Sequence, residues 1–251
     1  MIIKSPETRH IPQLRQLWKE AFGDTDDFLD VFFSVAFAPE RSRCVILDGQ
    51  VAAALYWFSC SCGGQPLAYI YAVATSGEFR GRGLCRKLMA DTHAHLQKLG
   101  YAGALLVPGD PGLRRMYRDM GYADMTGVKR ISCKAGLPVT LEPISVEQYA
   151  TLRREKLPKD GVRQEGENLR FLEKLARFYR GEDFLLCAVK EGNRLTVPEL
   201  LGNGEAAPGI VAALGCEEGT FTMPGEEEPF AMGMALAPSF RKPRHFAFAF
   251  D

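Results

Sequence analysis

The run Arg80-Gly81-Arg82-Gly83-Leu84-Cys85 holds the residues best suited to chemistry in this 251-residue chain. Two arginines offer forked donors to an anion, and two glycines let a ligand approach the backbone closely. The residues before it, Leu67-Ala68-Tyr69-Ile70-Tyr71-Ala72-Val73, form an apolar, aromatic run that reads as a buried strand. After it, Leu84, Leu88, Thr92, Leu96 and Leu99 recur at helical spacing, so a helix starts near Gly83. Strand, basic glycine loop and helix N-terminus together make a phosphate cradle. Unsatisfied backbone N–H groups face outward there, and the helix dipole favours an anion. Two other phosphate loops are excluded. No G-x-x-x-x-G-K-[ST] run occurs, and Arg86 stands where a G-x-G-x-x-G fingerprint needs its third glycine.

The elements that must position this loop follow from the chain order. Ile2-Ile3-Lys4 reads as a short strand, and Thr8 caps a helix through about Ala21 with Ile11, Leu14, Leu17 and Trp18 inward. Gly23-Asp24 breaks that helix. Asp26 opens a second one, whose Phe28, Leu29, Phe32, Phe33 and Val35 make a broad apolar surface, read as core with some members lining a pocket. Cys44 to Leu47, the Asp48-Gly49 turn and Val51 to Ser61 make a hairpin, and Cys62 to Pro66 turns into the strand before the loop. Gly100-Tyr101 stops the long helix. A strand over Gly103–Val107, a helix from Pro111 to Met120 with Gly121 at its C′ position, and a strand pair from about Ala123 to Lys134 complete this half.

Composition narrows the function. Lys+Arg 31 against Asp+Glu 31 leaves no net charge, which speaks against nucleic acid or a membrane surface as partner. The N-terminal residues lack a secretory apolar region, and no apolar run reaches membrane-spanning length. Seven cysteines without a regular framework fit reduced thiols, so a cytoplasmic location is expected. Cys60 and Cys62 share a strand face, but no second Cys/His pair has ligand spacing, so no metal is expected.

The loop resembles motif A of the GNAT N-acetyltransferases, [RQ]-x-x-G-x-[GA]: Arg80 and Gly83 fit, and Cys85, a departure, is small enough to keep the loop. Tyr117-Arg118-Asp119-Met120-Gly121-Tyr122 is similar to the family's Y-x-x-x-G-[FY] segment. The order of elements over residues 1 to about 135 also agrees with the GNAT fold. The resemblance implies an α/β (α+β) fold with a mixed sheet flanked by helices. It also implies that Arg80, Gly81, Arg82, Gly83, Leu84 and Cys85 bind the pyrophosphate of acetyl-CoA, and that the main chain at Val73 and Thr75 pairs with the pantetheine arm. Tyr117 would be the general acid that protonates the leaving CoA thiolate, a task suited to a phenol that is neutral at pH 7. The expected reaction is N-acetylation of a primary amine of a small molecule, by direct attack on the thioester of the co-substrate acetyl-CoA. Two alternatives stand beside it: a non-catalytic module that binds CoA or a partner, and an aminoacyl transferase.

The remaining residues look like a worn copy. Cys44-Val45-Ile46-Leu47-Asp48-Gly49-Gln50 is echoed by Cys187-Ala188-Val189-Lys190-Glu191-Gly192-Asn193, and each is preceded by strand then helix, the later one over Val139 to Leu157. A further helix is expected over Asn168–Tyr179, a short one over Ala206–Leu214, and strands over Thr220–Met223, Phe230–Leu236 and His245–Phe250, with a loop at 224–229. Where a phosphate loop would fall stands Leu200-Leu201-Gly202-Asn203-Gly204-Glu205, without arginine and with an acid that repels pyrophosphate. The organisation expected is thus a GNAT domain over 1–135, a linker at 134–138, and a degenerate GNAT-like half over 138–251, with the acceptor between them.

A base is harder to find. The strand before the loop carries no carboxylate, and His93 and His95 lie too far along the loop's helix. The chain ends His245-Phe246-Ala247-Phe248-Ala249-Phe250-Asp251, alternating as a buried strand does. The N-myristoyltransferases, another tandem GNAT-like family, use a terminal carboxylate as base, and the same role is assigned to that of Asp251.

Overall fold

The computed structural model describes residues 1–250; Asp251 lies outside them. The chain opens with β1 (Ile2–Lys4), a 3-10 turn over Thr8–His10, α1 (Ile11–Phe22) and α2 (Asp26–Val31), which continues as a π turn over Phe32–Ala36. Then come β2 (Ser42–Leu47), β3 (Gln50–Cys62), β4 (Gln65–Thr75), α3 (Leu84–Lys98), β5 (Gly103–Leu106), α4 (Pro111–Arg118), β6 (Ala123–Asp124) and β7 (Gly127–Lys134). The second half runs β8 (Glu142–Ile144), α5 (Val146–Lys156), α6 (Glu167–Leu175), β9 (Arg177–Arg180), β10 (Phe184–Glu191), β11 (Arg194–Gly202), α7 (Ala207–Ala213), β12 (Glu218–Gly225), β13 (Glu228–Pro229) and β14 (Met232–Ala235).

The strands form two seven-stranded mixed sheets, ordered β1-β2-β3-β4-β5-β14-β6 and β8-β9-β10-β11-β12-β7-β13. All neighbours are antiparallel except β4–β5 and β11–β12. The two orders correspond strand for strand, but each half lends its seventh strand, which fills the sixth place in the other's sheet. This corrects the reading of Ala123–Lys134 as a strand pair of the first half. β7 pairs with β12 along its whole length, and β14 enters the first sheet between β5 and β6. The crossing is held at one point, where the N–H groups of Met125 and Thr126 both reach the carbonyl of Ala231, at 2.9 and 3.2 Å.

The correspondence extends to detail. Between the pairs Ala54↔Ala74 and Tyr56↔Tyr71, β4 carries one residue more than β3, a bulge at Ala72-Val73. Ala72 takes φ 48°, a left-handed conformation that costs a residue with a side chain on the order of 1–3 kcal/mol. Between Cys187↔Glu199 and Val189↔Thr196, β11 carries the matching extra residue against β10.

Several elements differ from the sequence reading. Thr8 does not cap α1; it opens the 3-10 turn, and Glu7 N donates to His10 Nδ1 at 2.8 Å. The helix expected over Asn168–Tyr179 stops at Leu175, because Arg177–Arg180 pairs with β10 and the Phe178 ring packs, tilted, against Tyr149 at 4.5 Å. The loop at 224–229 is partly strand, as β12 runs to Gly225 and β13 pairs with β7. His245–Phe250 joins neither sheet. It is an extended strap whose Phe246, Phe248 and Phe250 enter the core between the sheets, where Trp18, Phe32, Phe58, Tyr69 and Tyr71 of one half meet Tyr149, Phe171 and Phe178 of the other. A strap without ladder partners must satisfy its polar groups otherwise. Gln164 serves Phe248 twice, Nε2 to its carbonyl at 2.9 Å and Oε1 from its N–H at 3.2 Å, and Val162 N donates to His245 O at 2.8 Å.

Candidate active site

The β4–β5 pairing ends at Tyr69↔Leu105, so the rest of β4 has no neighbour on that side. Free strand edges offer N–H and C=O groups to an extended ligand. Beyond the edge, Ser76 N returns to Ala52 O at 3.0 Å, a 3-10 turn covers Gly77–Phe79, and Phe79 anchors the loop by burying its ring. Gly81 (φ 75°) and Gly83 (φ 70°) both need the left-handed region, which is why the loop requires glycine there. Gly83 is the N-cap of α3 and supplies no capping side chain, so the first-turn N–H groups are open to an anion.

A cleft of about 540 Å³ opens over this loop. Val73, Thr75, Arg80, Gly81, Gly83, Leu84, Cys85 and Tyr117 all line it, so eight residues singled out in the sequence come together. Arg82 does not line it: its guanidinium lies 5.2 Å from the Phe79 ring and donates to Glu78 O at 3.3 Å. Arg80 Nε donates to Thr75 O at 3.1 Å, tying the loop to the strand end. Arg86, passed over in the sequence, also lines the cleft, with Nη1 on Asp119 O at 2.9 Å. Its signal was its position, on the first turn of the helix. Burial pushes the Cys85 thiol up against the opposing charge of Arg86, so it is a poor nucleophile.

α4 delivers Tyr117. Asp110 caps it by accepting from the N–H groups of Gly112 and Leu113, Pro111 starts it, and Tyr122 N closes its end on Tyr117 O at 3.1 Å past Gly121 (φ 96°). Tyr117 is buried and meets the Tyr122 ring edge-on at 5.9 Å; the Tyr122 hydroxyl lies 2.8 Å from His93 Nε2. Burial lowers the His93 pKa to about 4, so the imidazole is neutral at physiological pH.

A second pocket, of about 410 Å³, adjoins the cleft along β4. Trp18, Phe28, Tyr69, Tyr71 and Phe250 give it aromatic walls, and Asp24 is the only carboxylate among the described lining residues. Of the apolar residues on α2 and its π turn, Phe28 reaches it while Leu29 and Phe32 stay in the core. Val73 and Tyr117 belong to both cavities. A wider depression, of about 600 Å³, crosses the face of the second sheet near Arg194 and Glu218 and contains none of these residues. Among the described residues no group of three His, Cys, Asp or Glu side chains could hold a metal ion, and no helix is long and apolar enough to cross a membrane. The thiols of Cys60 and Cys62 instead donate to carbonyls, of Leu67 and Asp160, each at 3.2 Å.

A splayed mixed sheet with a basic glycine loop at its opening is the architecture of acyl-CoA-dependent acyltransferases. Residues 3–125 match the family model for an acetyltransferase (GNAT) domain, and this half of the chain belongs to the GNAT acetyltransferases. Solved structures extend the fold likeness over nearly the whole chain. A GCN5-related N-acetyltransferase from Kribbella flavida is 17% identical, with TM-score 0.70, over 92% of this chain and 70% of that one. A putative acetyltransferase from Pyrococcus horikoshii is 13% identical, with TM-score 0.65, over 98% and 91%. A tandem GNAT protein from the clavulanic acid biosynthesis pathway is 13% identical, with TM-score 0.57, over 94% and 98%. A search of curated proteins by sequence gave no match.

Proposed function

We propose that this acyltransferase moves the acetyl group of acetyl-CoA to a primary amine of a small molecule by direct attack. The observation that carries the reading is the shared wall: a loop-lined cleft and an aromatic pocket meet at Val73 and Tyr117. In this reading the pyrophosphate rests on Arg80, Gly81, Gly83, Leu84 and Cys85 with Arg86 beside it, and the pantetheine arm runs along Val73 and Thr75. The amine enters from the aromatic pocket. Its nitrogen attacks the thioester carbon, the C–N bond forms, and a main-chain N–H of the bulged strand takes part of the developing oxyanion charge. The C–S bond then breaks and Tyr117 gives its proton to the thiolate. A ping-pong route through cysteine lacks support, since among the described residues Cys85 is the only cysteine lining either cavity and burial holds its thiol protonated. The second half, without an arginine loop, supplies walls rather than a second cofactor site.

The experiment is release of free CoA from acetyl-CoA in the presence of a panel of primary amines, with the product identified by mass. Acetylated amine is expected. CoA binding without turnover of any amine would make the chain a binding module instead.

A further inference from the structure

Asp24 stands in the turn between α1 and α2, half-buried, with Oδ2 accepting the indole N–H of Trp18 at 2.7 Å. Two residues on, Asp26 is neutralised by Lys19 at 2.6 Å and Arg15 at 3.2 Å. Among the described residues Asp24 has only the neutral indole, and no lysine or arginine lines its pocket. A carboxylate facing aromatic walls without a counter-ion is a costly arrangement that a bound cation relieves, and the ring faces favour the same cation. At the rim, Phe22 leaves 47% of its surface exposed beside Trp18, 5.7 Å between ring centroids. An apolar side chain that open, on the lip of an apolar pocket, suits a ligand with an apolar body.

A cation bound at Asp24 is not the attacking nitrogen. The attacking nitrogen must reach the thioester at the wall that the aromatic pocket shares with the cofactor cleft. The wall shared with the cofactor cleft is Val73 and Tyr117, and Asp24 is not part of it. We propose that the acceptor carries a second cationic group, joined to the reactive amine through an apolar or aromatic spacer, and that Asp24 binds this second charge. The proposal rests on the acetyltransferase reading above and names the acceptor class as diamines.

The test compares matched pairs as acceptors: cadaverine against pentylamine, and para-xylylenediamine against para-methylbenzylamine. In the wild type, kcat/KM should favour the diamine roughly 10- to 100-fold, the range of one charge-assisted contact. Asp24→Asn keeps an oxygen for the Trp18 N–H and removes the charge; there the ratio should fall to about one. A wild-type ratio near one, or a preference that survives in Asp24→Asn, overturns the proposal. Calorimetry of para-xylylenediamine on the CoA-loaded protein gives a second readout, with roughly tenfold weaker binding expected for Asp24→Asn. If no amine is acetylated, the acetyltransferase reading fails. The calorimetry still decides on Asp24, since equal affinity in both proteins overturns its role.

Discussion

The hydroxyl of Tyr71 donates to the main-chain carbonyl of Phe250 at 2.9 Å, joining the strand before the loop to the far end of the chain. The Phe250 ring lies 4.7 Å from Phe58 and 5.3 Å from Phe171, so residues from both halves fix it. The second half thus contributes a side chain to the aromatic pocket. It holds the strap that makes one wall of the aromatic pocket. The strap is anchored on the way, with Phe248 4.7 Å from the guanidinium carbon of Arg153.

The loop predicts a binding phenotype. Arg80→Ala and Gly83→Asp should weaken CoA binding most, the first by about 1.5–3 kcal/mol for a lost arginine–phosphate contact. Gly83→Asp should do at least as much, because φ 70° strains any side chain and the new charge opposes the pyrophosphate. Calorimetry with CoA reads both, and unchanged affinity in both variants would remove the loop from the cofactor site.

Tyr117→Phe separates chemistry from binding. The ring and its contact with Tyr122 remain, so CoA affinity should hold while kcat drops by something like ~10²-fold. A kcat equal to wild type would assign Tyr117 to packing alone.

The loop was legible because its needs are local: glycines where φ is positive, arginines beside them, apolar runs before and after. Tyr117 was legible for the same reason, as helix end and Gly121 lie within one short segment. The strand exchange was not. Neighbouring segments such as Ala123-Asp124 and Gly127–Lys134 read as a strand pair, and only long-range pairing with β12 and β14 sends them to different sheets. The strap misread as a strand has strand alternation, but the Gln164 side-chain amide and the Val162 N–H take the place of a ladder. Asp24 carried no signal at all, since its meaning lies in which cations are missing around it in space.

Stability should fall with acid through His93. Burial lowers its folded pKa to about 4 from an ordinary 6.5. Below pH 6.5 the unfolded chain binds a proton that the fold refuses, so the stabilisation is complete above 6.5 and lost as pH drops toward 4. The loss is on the order of 2–3 kcal/mol. Urea titrations from pH 7 to 4 on the wild type and His93→Gln should show this limb flattened in the variant; identical slopes would contradict it.

The buried pair in the second half gives a sharper stability test. Arg153 reaches Glu199 through Nε at 2.6 Å and Nη2 at 2.9 Å, and Tyr149 adds its hydroxyl at 2.6 Å. Burial would raise the Glu199 pKa, but Arg153 and His245 outweigh it and hold it at about 2. Glu199→Gln leaves a guanidinium buried without its counter-charge, at a cost of about 3–5 kcal/mol, or a Tm lower by on the order of 10 °C. Arg153→Met with Glu199→Leu should recover most of it. Calorimetric melting that shows the single variant as stable as wild type would mean the pair is hydrated.

The last prediction concerns proton removal from the amine. No carboxylate lies on β4, and His93 is spent on Tyr122, its basicity lowered by burial. We propose that the main-chain carboxylate at Asp251 is the base. Asp251 is outside the described residues; what supports the idea is its covalent neighbour, since Phe250 lines the aromatic pocket together with Tyr117. Deleting Asp251, or extending the chain beyond it by a few residues, should lower kcat/KM for the amine by roughly 10²-fold with CoA affinity preserved. Asp251→Asn, which keeps the main-chain group, should retain most activity. A base works only when deprotonated, so kcat/KM in the wild type should climb with pH through its pKa, and the extended chain should lose that limb. An extension that leaves both the rate and the acid limb in place would show that the proton leaves by another route, such as a water chain to solvent.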